Sequence, residues 1–292
     1  MSSTLERRAV AVGELLVGDG PAVLIDGRVS LRARRGPADA FEALREGATL
    51  VEPASAADLP AIAEHAHAVV VGASWTRDIP LVRAAAGLGL PVVVERRAAA
   101  SMEEWLGLAD HCAAEGDGRV ILCEGDRPDL GLMRAARAAS GRPVLADVSR
   151  DLGLSAAAVA AGADGLIIGT AGTPVPADDR RVAEEAVTLV GALVRNEAPT
   201  TLAECRQAID RVDAALGTLL ERRAVLAGIV QRIKPVGGFA GRDLARERAL
   251  VARMAVRAPS LGEARLSPIM NAVIEAGLHL AEERRGGSRA ER

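Results

Sequence analysis

Seven short apolar runs rich in β-branched residues punctuate the first two thirds of the chain: Val23-Leu-Ile, Thr49-Leu-Val, Val69-Val-Val, Val92-Val-Val, Val120-Ile-Leu, Val144-Leu-Ala and Leu166-Ile-Ile. Runs of this kind, without polar alternation, suit strands buried on both faces, which is the condition of a parallel sheet. Helical stretches follow them, such as Met102 to Glu115 and Pro128 to Ser140. This rhythm predicts an α/β domain over 1–195, and seven or eight such units favour a TIM-like barrel, incomplete or modified, over an open sheet. A short hairpin from Ala9 to Leu16 is expected ahead of the first run.

The texture then changes. Arg195-Asn-Glu-Ala-Pro199-Thr interrupts the pattern, so 196–200 reads as a linker, and Thr201 with Glu204 makes a capping box that opens a long helix. From Leu202 the apolar series Leu202, Cys205, Ile209, Val212, Leu216, Leu219, Leu226, Val230, Ile233 steps by three and four, as in a packed helix. Pro235-Val-Gly-Gly238 ends it, and Pro259-Ser-Leu-Gly262 ends a second helix. Residues 201–285 are thus predicted to be an all-α, three-helix domain, with 286–292 a frayed polar tail.

Of the 36 basic side chains, 35 are Arg and one, Lys234, is Lys. Where Arg has replaced Lys almost everywhere, the survivor marks a place that needs a compact, rotatable ammonium. The seam predicts an apolar residue at 223, yet Arg223 stands there, and Lys234 lies about 20° from it around the helix at ~100° per residue. The next helix repeats the anomaly: its seam Leu244, Val251, Met254 is broken at Glu247, with Asp243 one turn earlier and Arg246 alongside. Two readings follow. Arg223 and Glu247 form an internal ion pair that fixes register, or the excess of cations builds an anion pocket whose ligand supplies carboxylates. Arg206 faces about 100° away from Arg223 and is expected to serve a second pocket, as in a dimer that exchanges residues.

The strings Leu-Ala-Glu-Cys-Arg206-Gln-Ala-Ile-Asp210-Arg-Val-Asp213, Leu-Leu-Glu-Arg-Arg223, Arg-Ile-Lys234 and Arg242-Asp243-Leu-Ala-Arg246-Glu247-Arg248 resemble the all-helical chorismate mutases. The resemblance implies a homodimer through this domain and a ligand that is chorismate or a close analogue. It further implies that Arg206 of the partner and Arg223 hold two carboxylates with Arg246 assisting. Lys234 would then donate to the ether oxygen and a carboxylate, and Glu247 with Asp243 would orient the ring hydroxyl end. A pericyclic rearrangement needs no cofactor, nucleophile or metal, only positioning and stabilisation of charge developing on the ether oxygen. In the last helix the family pattern Ile-Glu-Ala-Ser, with Gln four residues after the Ser, departs to Ile274-Glu275-Ala276-Gly277, with Ala281 at the Gln position. Losing one such donor costs about 10²–10³ in rate. A weak mutase, a mutase for a related substrate and a binder that no longer catalyses all remain open.

Residues 49–169 resemble the 3-deoxy-7-phosphoheptulonate (DAHP) synthases, in the subgroup often fused to a chorismate mutase. The stretches Pro91-Val-Val-Val-Glu-Arg96, Ser101-Met-Glu-Glu-Trp105, Ala114-Glu-Gly, Val120-Ile-Leu-Cys-Glu124-Gly and Ala163-Asp-Gly-Leu166 carry the resemblance. The residues of the family's chemistry are replaced. Glu95-Arg96 stands for a Lys-Arg pair and Glu124-Gly-Asp126 for Glu-Arg-Gly, while the metal-ligand positions fall at Val29, Arg150 and near Gly169. About one strand–helix unit is missing before Thr49. The domain is therefore expected to be a degenerate synthase, without metal, that scaffolds the mutase or docks it to an authentic synthase or another shikimate-pathway enzyme; a noncatalytic chorismate or prephenate sensor is the alternative. Glu52, Glu95, Arg96, Glu124, Asp147 and Arg150 collect at strand C-terminal ends, where barrels place chemistry, and read either as a ligand site or as a solvated rim of mutually paired charges.

The remaining features suit a cytoplasmic metabolic enzyme. A net charge of −3 argues against nucleic acid, and no apolar run approaches the ~18 residues of a membrane span. Cys112, Cys123 and Cys205 occupy apolar patterns and are expected to be reduced core residues; His65 and His67 lack a third ligand and read as surface residues.

Overall fold

A computed structural model of the chain describes residues 8–32, 42, 44, 45, 48–125, 127–169, 174–194, 199–234, 236 and 238–290, with side chains to 284. It divides into two compact units, Met1–Val212 and Asp213–Arg292. The first is α/β. A hairpin of β1 (Val10–Val12) and β2 (Leu15–Val17) comes first. Eight parallel strands follow: β3 (Val23–Asp26), β4 (Val29–Ser30), β5 (Ala48–Glu52), β6 (Ala66–Val71), β7 (Val92–Glu95), β8 (Val120–Glu124), β9 (Val144–Asp147) and β10 (Gly165–Ile168).

Every one of the seven apolar runs is a strand or part of one. The sheet order is β3-β10-β9-β8-β7-β6-β5-β4. Its two outermost strands, β3 and β4, are consecutive in the chain with only Gly27-Arg28 between them, so the sheet must curl until its ends meet. Gly27 makes the bend in the left-handed region, φ +70°, which costs a glycine little. One run of chain thus supplies both edge strands, and the ring has seven positions. The span between β4 and β5, where a strand–helix unit was expected to be missing, lies largely outside the described residues.

Strand alternation sorts the core into two layers. On β8, Val120 and Leu122 pack outward under the helices, while Ile121 and Cys123 join Ile25, Leu50, Val70, Val93, Leu145 and Ile167 inside the curl. Val10, Val12 and Val17 of the hairpin belong to this inner cluster, so the hairpin plugs the interior. The helices α1 (Leu59–His65), α2 (Ile79–Ala86), α3 (Met102–Glu115), α4 (Leu130–Ser140) and α5 (Ser155–Ala160) alternate with the strands, and α6 (Ala177–Glu185) and α7 (Gly191–Val194) follow β10. Their starts are written in sequence: Asp78 and Asp129 cap α2 and α4, and Ser101 with Glu104 makes a capping box on α3.

Three long helices follow: α8 (Leu202–Ile233), α9 (Leu244–Arg257) and α10 (Gly262–Ala290). The predicted capping box opens α8, with the Glu204 N–H donating to Thr201 Oγ1 at 3.2 Å and the Thr201 N–H to Glu204 Oε2 at 3.1 Å. The backbone of α10 continues helical to Ala290, into the expected tail. Residues 195–198, which include the first three of the expected linker 196–200, and the tip 291–292 lie outside the described residues. The second unit has a small core of its own, Val251, Leu266 and Met270 with their neighbours.

The α8 seam is not packed as its periodicity predicts. Leu202 (67 %), Ile209 (59 %), Leu226 (57 %) and Ile233 (77 %) are exposed, as are Val212, Leu216 and Leu219. Among the described residues this apolar face is left exposed.

Candidate active site

The connection between α8 and α9 builds the site. Lys234 is the first residue past α8, and its Nζ reaches forward to donate to the Gly241 carbonyl at 2.9 Å. One turn earlier, buried Gln231 accepts the Gly238 N–H through Oε1 at 2.8 Å. These two bonds fold the connection back over the end of α8. Asp243 then caps α9, accepting the Arg246 N–H at 3.0 Å, so the acid one turn before Glu247 has a structural duty. From α8, Arg223 Nη1 donates to the Val273 carbonyl of α10 at 3.3 Å.

Together these groups enclose a cavity of about 310 Å³, at the lower end of the range for small-molecule sites. Arg223, Lys234, Asp243, Arg246, Glu247 and Gly277 all line it. Arg206 and Ala281 do not. Arg206 is exposed on the first part of α8, in the other compact unit. Gly277 is buried at the wall, where an added Cβ would sit 3.7 Å from Ala227 Cβ and 4.0 Å from Arg223 Nη1.

The internal ion pair between Arg223 and Glu247 does not form. Glu247 is gripped instead by Arg242, Nε to Oε1 at 3.1 Å and Nη2 to Oε2 at 2.6 Å. The same guanidinium donates to Glu275 at 3.2 Å and Asn271 at 2.7 Å on α10. Helical arithmetic gives Arg242 no role because it lies outside any helix; its place just before a capping Asp and five residues before an acid was the available signal. Gln231 and Arg253, both cavity residues, were also missed. The lining carries five cations against two acids. One pair cancels at Arg242 and Glu247, and Arg223 and Lys234 end on backbone carbonyls, which leaves their charge uncompensated.

The curled sheet has a second cavity, about 630 Å³, at the C-terminal ends of its strands, lined by Arg28, Arg32, Arg96, Arg127 and Arg150 with Glu52, Glu95 and Glu124. Ion pairs form, Arg28 with Glu95 and Arg96 with Glu124, only the second of them between residues of the expected set, and the acids are not a solvated rim: the three glutamates are 5 %, 5 % and 1 % exposed. Glu52 accepts from Ser30 Oγ at 2.7 Å and Trp75 Nε1 at 3.1 Å. Glu95 accepts the Ala73 N–H at 2.8 Å and meets Arg28 in an ion pair at 2.9 Å, off-axis for a hydrogen bond. Glu124 is paired with Arg96 and takes the Asp129 N–H at 3.2 Å. Side chains fold inward because glycines leave room: a Cβ on Gly72 would collide with the Glu52 carboxylate, and one on Gly125 with that of Glu95. Burial works against the Arg28 charge, yet Glu95 more than offsets it and raises its pKa above the usual guanidinium value. Burial also pushes Glu124 above the ordinary carboxylate range, against the opposing pull of Arg96.

The donor set here does not fit a divalent ion. Val29 is buried in β4, paired in register with Val51. Arg150 lines the cavity, and among the described residues no group of three or more His, Cys, Asp or Glu converges as a metal site. His65 ends α1 and His67 lies exposed on β6.

Residues 205–282 match the family model "Chorismate mutase type II". That stretch is a chorismate mutase type II domain. The region before it is related to DAHP synthase: a curated relative from Thermotoga maritima, phospho-2-dehydro-3-deoxyheptonate aldolase, is 32 % identical over 151 residues, 44 % of this chain and 45 % of that protein. The chain thus spans under half the length of this relative. A crystal structure of a Thermotoga maritima phospho-2-dehydro-3-deoxyheptonate aldolase (DAHP synthase) superposes with a TM-score of 0.56 at 25 % identity, covering 64 % of this chain and 74 % of that one. A truncated 3-deoxy-D-arabino-heptulosonate 7-phosphate synthase from the same organism, at 23 % identity and TM-score 0.51, covers 64 % and 94 % and shares the fold. The chain therefore joins a chorismate mutase domain to a DAHP synthase-like curled sheet. Among the described residues no helix is long and apolar enough to cross a membrane.

Proposed function

We propose that the helical cavity converts chorismate to prephenate and that the synthase-like domain has no synthase activity. The observation that carries the reading is the convergence of Arg223, Lys234 and Arg246 with Glu247 on one cavity that holds an excess of three positive charges. A dicarboxylate would compensate that excess. Arg223 and Arg246 grip the carboxylates and hold the enolpyruvyl arm over the ring, which converts orientation into rate. Lys234 Nζ, tethered at Gly241, presents its remaining N–H groups to the ether oxygen, where negative charge grows as the C–O bond breaks. Glu247 receives the ring hydroxyl.

The site is completed by a second copy. The exposed apolar face of α8 and the small core of the second unit support a homodimer, and exposed Arg206 is the residue it would exchange. The synthase-like domain then serves as scaffold or as a docking module for an authentic DAHP synthase or another enzyme of aromatic biosynthesis in the cytoplasm. Substitutions at Val29, Glu95 and Arg150, with every mouth glutamate engaged, support its inactivity.

Loss of chorismate absorbance, with the product checked as prephenate, tests the reading. Saturable turnover that falls about 10²–10³ or more in Lys234→Ala supports it. Chorismate binding by calorimetry without turnover would replace it with a sensor that regulates a partner synthase. Phosphate release from phosphoenolpyruvate and erythrose 4-phosphate with added divalent metal would overturn the inactivity of the other domain.

A further inference from the structure

We infer that Arg242 sets the specificity of the ring end of the cavity: by neutralising Glu247 it favours a substrate whose ring carries a neutral hydroxyl over one carrying an ammonium group at the same carbon. The inference rests on the proposed mutase reading and deepens it. A carboxylate at the ring end can receive either group, and its preference depends on whether its charge is free. Here both oxygens of Glu247 are taken up by one guanidinium, fork on fork, at 3.1 Å and 2.6 Å. Each oxygen keeps a lone-pair direction for a further donor, so an O–H is still accepted. The negative charge, however, is already spent on Arg242. The fork is held from behind, because Arg242 also donates to Glu275 at 3.2 Å and to Asn271 at 2.7 Å, and Asn271 Nδ2 donates to Glu275 at 3.0 Å.

The surroundings act in the same sense. Arg246 and Arg253 line the same cavity with no ion-pair partner among the described residues, and Lys234 lies across it. The other acid, Asp243, has one oxygen committed to the Arg246 N–H. An ammonium group entering here finds Asp243, already bound to a backbone N–H, as its one acid not paired with a cation among the described lining residues, and meets an excess of cations. A hydroxyl suffers neither penalty. Glu275 lies 40 % exposed on the far side of Arg242 and is occupied by it. Arg242 is thus a positioning residue: it acts on the substrate through Glu247.

The test compares chorismate with its analogue bearing an amino group in place of the ring hydroxyl. Wild-type protein is expected to favour chorismate at least tenfold in kcat/KM. In Arg242→Gln the ratio should narrow at least tenfold, through a higher KM for chorismate and a lower one for the amino compound. Arg242→Lys, which keeps the charge, should hold the ratio near the wild-type value. Equal loss on both substrates in Arg242→Gln, with the ratio unmoved, would mean that Arg242 only braces the fold and would overturn the inference while leaving the mutase reading intact. A wild-type ratio within threefold of unity overturns it without any variant, so it stays testable even if Arg242→Gln fails to fold. If neither compound turns over, the mutase reading fails by itself, and the ratio of calorimetric Kd values for the same pair decides the specificity: tenfold in favour of the hydroxyl compound supports it, and equal affinities or no binding of either sinks it.

Discussion

The mouth of the curled sheet and the cavity of the helical unit are both lined by five cations, yet the two regions use them differently. In the mouth, each glutamate is buried and engaged, Glu95 by Arg28 and Glu124 by Arg96, and Arg32 lies over Trp75 at 5.1 Å. In the helical cavity, among the described residues, only Arg242 meets carboxylates, while Arg223 and Lys234 end on carbonyls. Charge compensated inside a fold serves the fold. Charge left uncompensated around a cavity is a binding free energy waiting for an anion. The sheet domain neutralises two of its buried mouth glutamates with internal ion pairs, whereas the mutase domain keeps its cations facing open space.

The comparison predicts a double dissociation. Arg96→Ala removes the partner of Glu124, which is 1 % exposed, and should cost about 3–5 kcal/mol of stability, because an uncompensated buried charge remains. Urea unfolding followed by circular dichroism reads this directly, with kcat/KM for chorismate unchanged at a temperature where the protein is folded. An undiminished midpoint would show that the mouth pairs are ornamental. Lys234→Ala should do the reverse, lowering kcat/KM by about 10²–10³, equivalent to roughly 3–4 kcal/mol of transition-state stabilisation, with the unfolding midpoint nearly unmoved. A Lys234→Ala protein that both unfolds early and turns over normally would invert the assignment of the two regions.

Much of this architecture was legible because its determinants are local. A triplet such as Val92-Val-Val is apolar toward both faces, and only a strand covered on both sides satisfies it; Ser101 with Glu104 and Thr201 with Glu204 announce helix starts through bonds three residues long. Lys234 and Arg223 were legible because helical spacing places both on one face. Depth was not legible. The mouth carries charges of both signs, which suits a wet rim as well as a dry one, and the space left by Gly72 and Gly125 lets Glu52 and Glu95 fold inward. Arg242 escaped because it lies between helices, where no period assigns a direction. Arg206 cannot be placed in the cavity by any single-chain reasoning, since its expected site belongs to a second copy.

The core of the sheet domain supplies a smaller effect with a definite sign. Burial pushes the Cys112 thiol up to about 11 from an ordinary value of 9.0. In the unfolded chain the thiol ionises near 9, so between about 9 and 11 the folded state holds the proton that the unfolded state has lost. The stability contributed by the buried thiol is fully present below about 9 and disappears as the pH rises through about 11. At about 1.4 kcal/mol per pH unit, the interval is worth of order 2–3 kcal/mol. Cys123 is fully buried and shifted in the same direction, which steepens the fall. Urea midpoints measured from pH 8 to 11 should decline, and Cys112→Ala should flatten the slope whatever it does to the absolute midpoint. A slope identical in the variant would show that other groups govern alkaline unfolding.

The smallest effect separates one copy from two. Arg206→Ala removes a single carboxylate contact and should lower kcat/KM by about 10–100-fold, the 1.4–2.7 kcal/mol expected when a charge-assisted hydrogen bond is lost. Its decisive use is in a mixture. Arg206→Ala and Lys234→Ala proteins are each defective at both sites of their own dimers. If α8 faces pair between copies, a mixed dimer places both lesions in one site and leaves the other site whole, so unfolding and refolding the two together should restore activity to about a quarter of the wild-type level. Ile209, 59 % exposed on that face, offers the control: with Ile209→Asp in both partners, a charge set in the apolar seam blocks pairing, and restoration should vanish as sedimentation reports monomers. Restoration that persists among monomers, or none at all from dimers, would mean that Arg206 serves its own chain or no site, and the exposed seam of α8 would need another occupant.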